Sequence, residues 1–489
     1  MGREGGIALS VFNFSKANCQ NCYKCLRTCP VKAIKIKDEQ AEIVEERCID
    51  CGQCLIVCPQ HAREIKSDLA EIKEAIANRK RVIASVAPSF AGAFEMDHAG
   101  QFVAALKTLG FYIVEETAVG AEVVAKFYKR YMEEQRMDNI ITTSCPATNY
   151  LVQKYFPSLS KYLTPVVSPM LAHGKLMKHE YGMESYVVFI GPCIAKKEEA
   201  MEFEHEGIIN AVLTFDELSK WLKEEKIVLR DLKPQDFDKK SYRGGSGFPL
   251  RGGVFESFLE QGESPYEMIH VDGIKECMEL FRTIEEGKIH HVYVEANVCD
   301  GSCIGGLGMP QDGDSSFQKK KRIEDYVKQK EKKPPFFSYP SEGSIHFSKV
   351  FFEKPIVKKQ ASEEEIDMIL RKMGKYEAID ELNCSACGYN TCREKAQAVF
   401  EGMAEINMCL PHMRNKAERL TNVIFENTPN IIIIVDEEMH IKEFNPKAEK
   451  AFNARAIDVK NKPISILMDD SCFYKAKEMK GKLINEKKA

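Results

Sequence analysis

The sequence carries little net charge, because 69 lysine and arginine residues oppose 73 aspartate and glutamate residues, for a formal total of -4. A balance this even gives no basic patch to attract nucleic acid, so no nucleic-acid partner is expected. No apolar run approaches the roughly 20 residues that span a bilayer, and the richest is Ile431 to Val435. Residues 1 to 19 also lack the apolar stretch of a signal peptide. We therefore expect a cytoplasmic protein without a membrane partner.

Cysteine, by contrast, is abundant, with 18 residues in a chain of 489. Disulfide frameworks belong to small secreted domains, and a chain this long without a secretory signal does not fit that class. Since single cores stop growing at roughly 250 to 300 residues, several domains are expected. Sixteen of the cysteines fall into four sets of four, which favours metal ligation, and the remaining Cys277 and Cys472 are predicted to be unliganded thiols.

Two of the sets share one spacing, Cys-x2-Cys-x2-Cys-x3-Cys-Pro. The first comprises Cys19, Cys22, Cys25 and Cys29 before Pro30, and the second Cys48, Cys51, Cys54 and Cys58 before Pro59. The pattern resembles bacterial two-cluster ferredoxins, whose fourth cysteine crosses to the other cluster. That resemblance implies a ferredoxin-like domain over residues 1–70 in which Cys58 completes the first 4Fe-4S cluster and Cys29 the second. Structural zinc, which also uses paired Cys-x2-Cys arms, is the alternative.

From about Arg79 the sequence pattern changes. Strand-like apolar runs, such as Arg81 to Val86 and Ser185 to Ile190, alternate with amphipathic stretches such as Ala121 to Met132. This alternation predicts an α/β domain with parallel strands, whose sites gather in loops at the strand ends. Each loop of a third, dispersed set begins where such a run stops. The set consists of Cys145, Cys193, Cys299 and Cys303.

The segments around these cysteines, residues 143–146, 192–199 and 295–306, resemble the three signature segments of FeFe hydrogenases. The resemblance covers residues 80 to 312 and implies a two-lobed hydrogenase domain over 78–345. It further implies that the four cysteines hold a 4Fe-4S cube, and that Cys303 also bridges to a two-iron subsite carrying carbon monoxide, cyanide and a dithiolate, together the H-cluster. Hydrogen and protons would be the substrates, with a ferredoxin-like electron carrier and hydrogenase maturation proteins as partners.

Other residues match the family's pocket. Lys196 corresponds to the lysine that binds a cyanide ligand, Pro88 and Ser89 to a lining loop, and Glu199 to a carboxylate of the second segment. A solvated lysine beside Lys197 is the alternative for Lys196. The glycine-rich run from Gly305 to Gly308 suits backbone packed close to a cofactor.

The chain departs from the catalytic pattern along the proton route. Ser144 stands where the family has a cysteine that passes protons, and a hydroxyl is far less acidic than a thiol of pKa about 8.5. Tyr128 and Tyr131 stand where two relay glutamates are expected, and phenols with a pKa near about 10 are poor relays at neutral pH. Simple packing in the domain is the alternative for both tyrosines. We expect slow turnover.

Two substitutions touch the pocket itself, since Gly191 and Asn297 replace methionines of the family and would open or repolarise it. Retained ligands beside an altered relay resemble the sensory branch of the family. The resulting hypothesis is a hydrogen-responsive protein that cleaves H2 slowly, reversibly and heterolytically.

The fourth set, Cys384, Cys387, Cys392 and Cys409, resembles a one-cluster domain of anaerobic redox proteins, expected over 376–415 after a linker and helix at 346–375. Zinc is again the alternative. A 4Fe-4S cluster bound by this set would be the third such cluster outside the H-cluster. Residues 416–489 resemble a connecting helix and the first part of a PAS-like α+β domain, which implies a signalling effector such as a kinase or phosphatase.

The Lys-rich stretch from Ser315 to Ser344 is predicted to be an exposed linker, with docking of an acidic electron carrier as a secondary hypothesis. Two further functions remain open beside the sensor: a catalytic hydrogenase linked to ferredoxin, and a narfin-like iron-sulfur assembly or carrier protein without the two-iron subsite. Cys303 and Lys196 speak against the last.

Overall fold

The computed structural model describes residues 11–259, 264–311, 313–332, 334 and 344–469, so Cys472 and part of the stretch from Ser315 to Ser344 lie outside the described residues. The chain forms two compact units. The first takes in the chain up to Ala361 with Gly388–Asn390 and Gln397–Ala404, and the second takes in Ser362–Cys387, Thr391–Ala396 and the chain from Glu405. The five predicted domain boundaries stay predictions.

Short elements dominate the first part of unit one. They are β1 (Phe12–Phe14), α1 (Lys24–Thr28), β2 (Ile34–Lys37), β3 (Gln40–Ile43), α2 (Gln53–Ile56) and β4 (Arg63–Ile65). β1 pairs antiparallel with β4, and β2 with β3. Tyr23 and Gly52, both in the left-handed region, precede α1 and α2, so each cysteine run turns sharply into one short helix. The repeated spacing thus becomes a repeated turn and helix.

A four-stranded parallel sheet follows, in the order β6-β5-β8-β9. This region of the chain contains α3 (Leu69–Ala77), β5 (Val82–Val86), α4 (Phe90–Ala93), α5 (Ala99–Leu109), β6 (Ile113–Glu116), α6 (Ala118–Glu134), β7 (Ile140–Ile141), α7 (Pro146–Tyr155), α8 (Pro169–Tyr181), β8 (Tyr186–Gly191), α9 (Ala195–Met201) and β9 (Ala211–Thr214). β7 belongs to the next sheet. All five residues of β5 are buried, as expected for a parallel sheet covered on both faces. The predicted parallel strands are confirmed.

A second parallel sheet has the order β10-β11-β7. The remaining elements of this region are α10 (Phe215–Glu224), α11 (Arg243–Ser246), α12 (Gly253–Phe258), β10 (Glu267–Asp272), α13 (Ile274–Glu285), β11 (Val292–Asn297) and α14 (Ser316–Gln329). Because β7 and β11 lie side by side and parallel, their carboxyl ends, and the cysteine loops that follow them, meet at one edge.

Helices α6 and α8 approach closely at Gly120. A Cβ atom on Gly120 would lie 2.3 Å from the Pro169 carbonyl oxygen and 2.6 Å from the His173 nitrogen, which no side chain tolerates. The missing side chain therefore lets the two backbones touch beside the sheet.

The linker predicted from Ser315 onward is wrong over much of its length, because residues 316–329 form α14. Ser315 caps this helix in a capping box with Gln318, and Lys319, Ile323 and Tyr326 are buried along one face. The capping box and the spaced apolar residues outweigh the local charge. Exposed lysines thus form one face of a packed helix.

The second unit is smaller. Elements from Ala361 onward are α15 (Glu363–Lys372), α16 (Cys392–Phe400), α17 (Leu410–Asn427), β12 (Ile433–Val435), β13 (Ile441–Phe444), α18 (Pro446–Phe452) and α19 (Ala456–Val459). These confirm the helix predicted before residue 375, the connecting helix and the strand near Val435. β12 and β13 pair antiparallel over a small apolar cluster that includes Ile441, Phe444 and Ile464. Across the described residues, no helix is both long and apolar enough to cross a membrane.

Candidate cluster-binding site

The four dispersed cysteines converge on one cavity of the first unit. Cys145 lies between β7 and α7, Cys193 follows β8, and Cys299 and Cys303 follow β11. All four line the cavity together with Ser144 and Lys196. The structure thus joins residues from three loops, as the strand ends predicted.

The predicted pocket loop lies on the same cavity, because Pro88 and Ser89 follow β5 and line its wall. Sequence reasoning did not find Ser302, which also lines it. The hydroxyl oxygens of Ser89 and Ser302 are buried and have no hydrogen-bond partner in the part of the chain that the structure describes. Because buried hydroxyls are normally hydrogen-bonded, two unsatisfied ones in one wall mark a place for a polar ligand.

Burial strongly affects the pKa of two thiols in the cavity wall. It raises the pKa of Cys193 and of Cys303 to about 12, and a neighbouring cysteine, Cys145 for Cys193 and Cys193 for Cys303, adds to the effect. Thiols are metal ligands only as thiolates, so such a group needs a cationic core to bind.

Lys196 is buried, with 7% of its surface exposed, which overturns the solvated-lysine alternative. Its Nζ lies 2.7 Å from Glu199 Oε2 and donates to the Ser144 carbonyl at 3.3 Å. Burial alone would raise the pKa of Glu199, but the ammonium groups of Lys196 and Lys349 outweigh it and lower that pKa. The pair therefore holds a charged ammonium in the cavity wall.

Ser144 has a buried neighbour in Tyr128. The Thr143 N–H donates to the Tyr128 hydroxyl at 3.0 Å, and burial raises the pKa of this phenol to about 12 against an opposing hydrogen bond to Ser144. Tyr128 belongs to the hydrophobic core, and Tyr131 packs against it while partly exposed. Both tyrosine rings therefore pack in the domain, as the alternative to a relay role expected.

The substituted pocket positions differ from one another. A Cβ on Gly191 would lie 2.7 Å from the Phe189 ring, so Phe189, which lines the cavity, fills the space beside this glycine. Asn297 lines the cavity as a polar side chain. The sequence predicted a more open pocket at Gly191, but the aromatic ring of Phe189 occupies that space.

The glycine-rich run packs the third loop onto the second. A Cβ on Gly306 would lie 2.6 Å from the Pro192 carbonyl oxygen, and the Gly308 N–H donates to that oxygen at 2.8 Å. These glycines therefore allow close contact between backbones beside Cys193.

The N-terminal sets come together as two groups. Cys58 lines a cavity with Cys19, Cys22 and Cys25. Cys29 lies near the other group, since its charge raises the pKa of Cys51 and of Cys54, after burial as the larger cause. This grouping agrees with the crossed ligation that the resemblance to two-cluster ferredoxins implies, which stays a prediction.

The second group faces the dispersed set. Cys51 lies close enough to Cys299 for its charge to raise the pKa of that thiol, after burial and the other cysteines of the set. A Cβ on Gly52 would meet Leu307 and Ile194 within 2.8 Å, so the two domains touch directly here. The contact brings two cysteine sets of the first unit side by side.

A basic residue lies at two of the sets and was not found from the sequence. Arg63 is buried, and its Nη2 approaches Cys25 Sγ at 3.8 Å. In the second unit, buried Lys395 donates to the Ile406 carbonyl at 2.9 Å; burial lowers its pKa, while the nearby thiols of Cys387, Cys392 and Cys409 oppose that shift. Cys384 is the exposed member of that set. Neither cation belongs to a recognisable motif.

The residues present fit polynuclear iron groups in their donor chemistry. Four thiols per set are the ligands of 4Fe-4S clusters. At the dispersed set, the unsatisfied hydroxyls and the Lys196 ammonium add polar groups that a bare cube does not need. In the described ranges, no three His, Cys, Asp or Glu side chains converge closely enough to hold a single metal ion.

Three families match parts of the chain. Residues 80–307 match "Iron only hydrogenase large subunit, C-terminal domain", residues 18–65 match "4Fe-4S dicluster domain", and residues 380–411 match "Putative Fe-S cluster".

Curated relatives are distant. Iron hydrogenase 1 of Clostridium pasteurianum is 28% identical over 50% of this chain and 52% of its own length. The NADP-reducing hydrogenase subunit HndD of Solidesulfovibrio fructosivorans is 26% identical over 70% and 65%, and the cytosolic Fe-S cluster assembly factor narfl of Xenopus tropicalis 23% over 50% and 66%. The chain thus spans between half and two thirds of these proteins.

A solved FeFe-hydrogenase HydA1 variant of Chlamydomonas reinhardtii has a TM-score of 0.48 at 18% identity and covers 60% of this chain and 100% of its own. The family matches agree with the converging cysteine loops and with the paired N-terminal sets. Residues 80–307 are therefore similar to the C-terminal domain of iron-only hydrogenase large subunits, and they lie between a segment similar to 4Fe-4S dicluster domains and a C-terminal segment similar to iron-sulfur cluster domains.

Proposed function

We propose that the chain binds the H-cluster through Cys145, Cys193, Cys299 and Cys303 and cleaves H2 slowly and reversibly. The observation that carries this proposal is the convergence of these cysteines with Lys196, Ser144, Pro88 and Ser89 on one cavity. When bound, the two-iron subsite would supply the centre at which H2 is split heterolytically, and Cys303 would bridge to it.

Lys196 orients the bound group. An ammonium has three donors, and two of those on Lys196 are directed to Glu199 and to the Ser144 carbonyl. The third is left for an anionic ligand in the cavity, which suits a bound cyanide. Because Lys196 and Glu199 are paired at 2.7 Å in a buried wall, the two residues act together.

Slow turnover follows from the groups beside the cavity. Ser144 offers a hydroxyl instead of a thiol, and the phenol of Tyr128 behind it has a pKa raised by burial to about 12. Neither group exchanges protons readily at neutral pH, because a relay works best with a pKa near the working pH.

Electrons have a direct entry to the same cavity. Gly52 of the dicluster domain packs against Leu307 and Ile194, and Cys51 is near enough for its charge to raise the pKa of Cys299, so the two N-terminal clusters would connect a ferredoxin-like carrier to the H-cluster. Hydrogenase maturation proteins would supply the two-iron subsite.

The proposal extends to a sensory role, in which hydrogen or redox state at the cavity controls a signalling effector through the C-terminal cluster and the PAS-like residues. Its support is the impaired relay and the sequence of residues 416–489. A turnover equal to that of dedicated catalytic hydrogenases would contradict the sensory role and favour the enzyme linked to ferredoxin.

Infrared spectra test the central proposal. After anaerobic maturation, the full chain should show bands of metal-bound carbon monoxide and cyanide. Cys303→Ala should abolish them, whereas Cys277→Ala, which removes a buried thiol that does not line the cavity, should keep them. Absence of bands from competently matured wild-type protein would refute the proposal.

A second candidate is iron-sulfur assembly or transfer, which the likeness to the cytosolic assembly factor supports. It predicts four 4Fe-4S clusters, no carbon monoxide or cyanide bands, and transfer of iron-sulfur clusters to an apoprotein acceptor. The spectra therefore separate the two candidates.

A further inference from the structure

A chain of hydrogen-bonded side chains leads away from the cavity through the core of the first unit. It starts at Thr117, which lines the cavity, and its first link joins the Thr117 and Ser85 hydroxyls at 2.8 Å. The Ser85 hydroxyl lies 2.8 Å from His173 Nδ1, and His173 Nε2 lies 2.9 Å from Glu115 Oε2. The Tyr181 hydroxyl donates to Glu115 Oε1. Each link is a direct contact, with no water required.

The middle of this series of hydrogen-bonded side chains is buried, whereas its outer end is partly exposed. Ser85, Glu115 and the His173 side chain are 0% exposed, and Thr117 is 4% exposed. Tyr181 is partly exposed at the end of α8. The five residues come from β5, β6, α8 and the turn before α6, so the sheet and the Gly120 contact hold them in one line. Such an arrangement connects cavity and surface by a single path.

We propose that Thr117, Ser85, His173, Glu115 and Tyr181 form a proton route between the cavity and solvent, which serves in place of the route weakened at Ser144. The inference rests on the proposed function, because it assumes that protons are released or consumed in the cavity. Its residues are not those that the resemblance to hydrogenases singled out.

Every step moves one proton and no electron. A proton from the cavity passes by way of the Thr117 and Ser85 hydroxyls, each of which gains one proton and releases its own. His173 gains a proton at Nδ1 and releases the one at Nε2 to Glu115. The Glu115 carboxyl and the Tyr181 hydroxyl, which donates to Glu115 at rest, both rotate. The carboxyl then passes the proton to the Tyr181 oxygen in the same step in which that hydroxyl, now turned outward, gives its own proton to water, so no phenolate forms. The net change is one proton transferred to solvent, and the reverse order serves proton uptake.

Charges around the chain suit this role. Burial tends to raise the pKa of Glu115, but the hydrogen bond and charge of His173, the charge of Lys239 and the hydrogen bond of Tyr181 lower it below its ordinary value. Glu115 therefore rests as a carboxylate able to accept a proton. Burial, Glu115 and, to a smaller extent, the charges of Glu180 and Asp238 raise the pKa of the Tyr181 phenol, so Tyr181 stays protonated and must take up one proton as it gives up another.

A neighbouring carboxylate shows that burial alone does not make such a route. Glu116 accepts hydrogen bonds from Ser241, Ser246, Tyr326 and Lys330, and its ammonium partner neutralises it. None of these four side chains lines the cavity. Glu116 thus ends in an ion pair, while Glu115 joins the cavity to a phenol at the surface.

The first test compares variants of the matured full chain. Thr117→Val removes the hydroxyl but keeps the shape, and His173→Gln keeps a hydrogen-bonding side chain without a ring that accepts and releases protons. Both should lower H2 oxidation and H2/D2O exchange at least tenfold with unchanged carbon monoxide and cyanide bands. Thr117→Ser keeps the hydroxyl and should retain more activity than Thr117→Val, whereas His205→Gln, at a buried histidine outside the route, should stay within twofold of wild type.

Outcomes are distinct. Wild-type rates in Thr117→Val and His173→Gln, with the bands intact, would overturn the route but leave the proposed function standing. Absence of the bands from the wild type would overturn the proposed function itself.

A second test needs no turnover. In the full chain labelled with 15N-histidine, exchange of the His173 ring proton with solvent should slow at least tenfold in Tyr181→Phe, because the hydroxyl at the outer end is lost. The His205 signal should not change. Equal His173 exchange in both proteins would refute the outer half of the route, whatever cofactor is bound.

Discussion

Lys196 and Glu199 lie one turn apart on α9 and form a buried ion pair, with Nζ and Oε2 separated by 2.7 Å. The Lys196 side chain lines the cavity with the cysteines, and the second carboxylate oxygen of Glu199 is buried without a hydrogen-bond partner among the described residues. The pair is therefore sensitive to loss of either member.

Replacing Lys196 alone should destabilise the protein strongly. Lys196→Met leaves the Glu199 carboxylate buried without its nearest cation, and loss of one partner of a buried pair typically costs about 3–5 kcal/mol. Lys196→Met/Glu199→Gln, which removes both charges, should recover most of that loss. Urea unfolding of the full chain produced without maturation measures both. Equal stabilities of the single and double variants would contradict the pairing.

Ser144→Cys should not restore rapid turnover. The new thiol would lie beside Tyr128, whose buried phenol is a poor proton acceptor, so the interruption persists behind it. We expect less than a tenfold gain in H2 oxidation by the matured variant, and Ser144→Ala serves as the matched loss of the hydroxyl. A rate that rises to that of catalytic hydrogenases would show that Ser144 alone limits the flow of protons.

Gly120→Ala should separate α6 from α8. The added Cβ would stand 2.3 Å from the Pro169 carbonyl oxygen, and overpacking of this kind costs about 1–3 kcal/mol. The midpoint of thermal unfolding should fall accordingly. Gly244→Ala is the control, because its Cβ would lie 3.4 Å from the nearest atom, and its midpoint should be unchanged or slightly higher. Similar midpoints for the two variants would contradict the close contact.

Pairs of cysteine variants should reveal the crossed clusters. Cys22→Ser/Cys58→Ser damages one predicted cluster and should lose about four iron atoms, as each cluster holds four. Cys51→Ser/Cys58→Ser damages two and should lose about eight. Iron analysis with electron paramagnetic resonance of the reduced protein gives the count. The reverse result would mean that Cys58 belongs with Cys51.

Glu295 should make stability fall as pH rises. Burial raises the pKa of Glu295 to about 7, despite N–H groups of Gly252 and Phe255 that donate to it, whereas an unfolded glutamate has a pKa of about 4.3. Stability from the neutral form is fully present below about pH 4.3 and is lost as pH rises through about 7.

Glu295→Gln stays neutral and should lose less stability than wild type between pH 5 and pH 8 in urea unfolding. Glu279→Gln, at an exposed position on α13, should follow the wild type. Parallel pH profiles for Glu295→Gln and wild type would show that the carboxyl is ionised throughout.

Ligand sets were predictable where chemistry imposes local spacing. The runs from Cys19 and Cys48, and the strand ends before Cys145, Cys193 and Cys299, follow from cluster ligation and from parallel-sheet geometry. Ser85, Glu115 and His173 could not be found this way, because their contacts depend on tertiary packing and no motif joins them. The ring of Phe189 beside Gly191 is hidden for the same reason, since sequence shows a missing side chain but not what replaces it.

Charge misled the prediction after Ser315. The lysines suggested an exposed linker, yet Ile323 and Tyr326 lie on the buried face of α14 together with the stem of Lys319. A long charged side chain covers apolar surface with its methylenes, so a run of lysines does not by itself indicate a missing helix.

Successive side chains of a strand point to opposite faces, and at the end of β6 both of them are carboxylates, Glu115 toward His173 and Glu116 toward Lys330. A slip of β6 by one residue would exchange the two, leaving an ammonium without its anion and an imidazole with the wrong neighbour. The contacts on each face of the sheet therefore favour the same register of β6 independently. An insertion or deletion within residues 113–116 would be felt at the cavity and on the far side of the sheet at once.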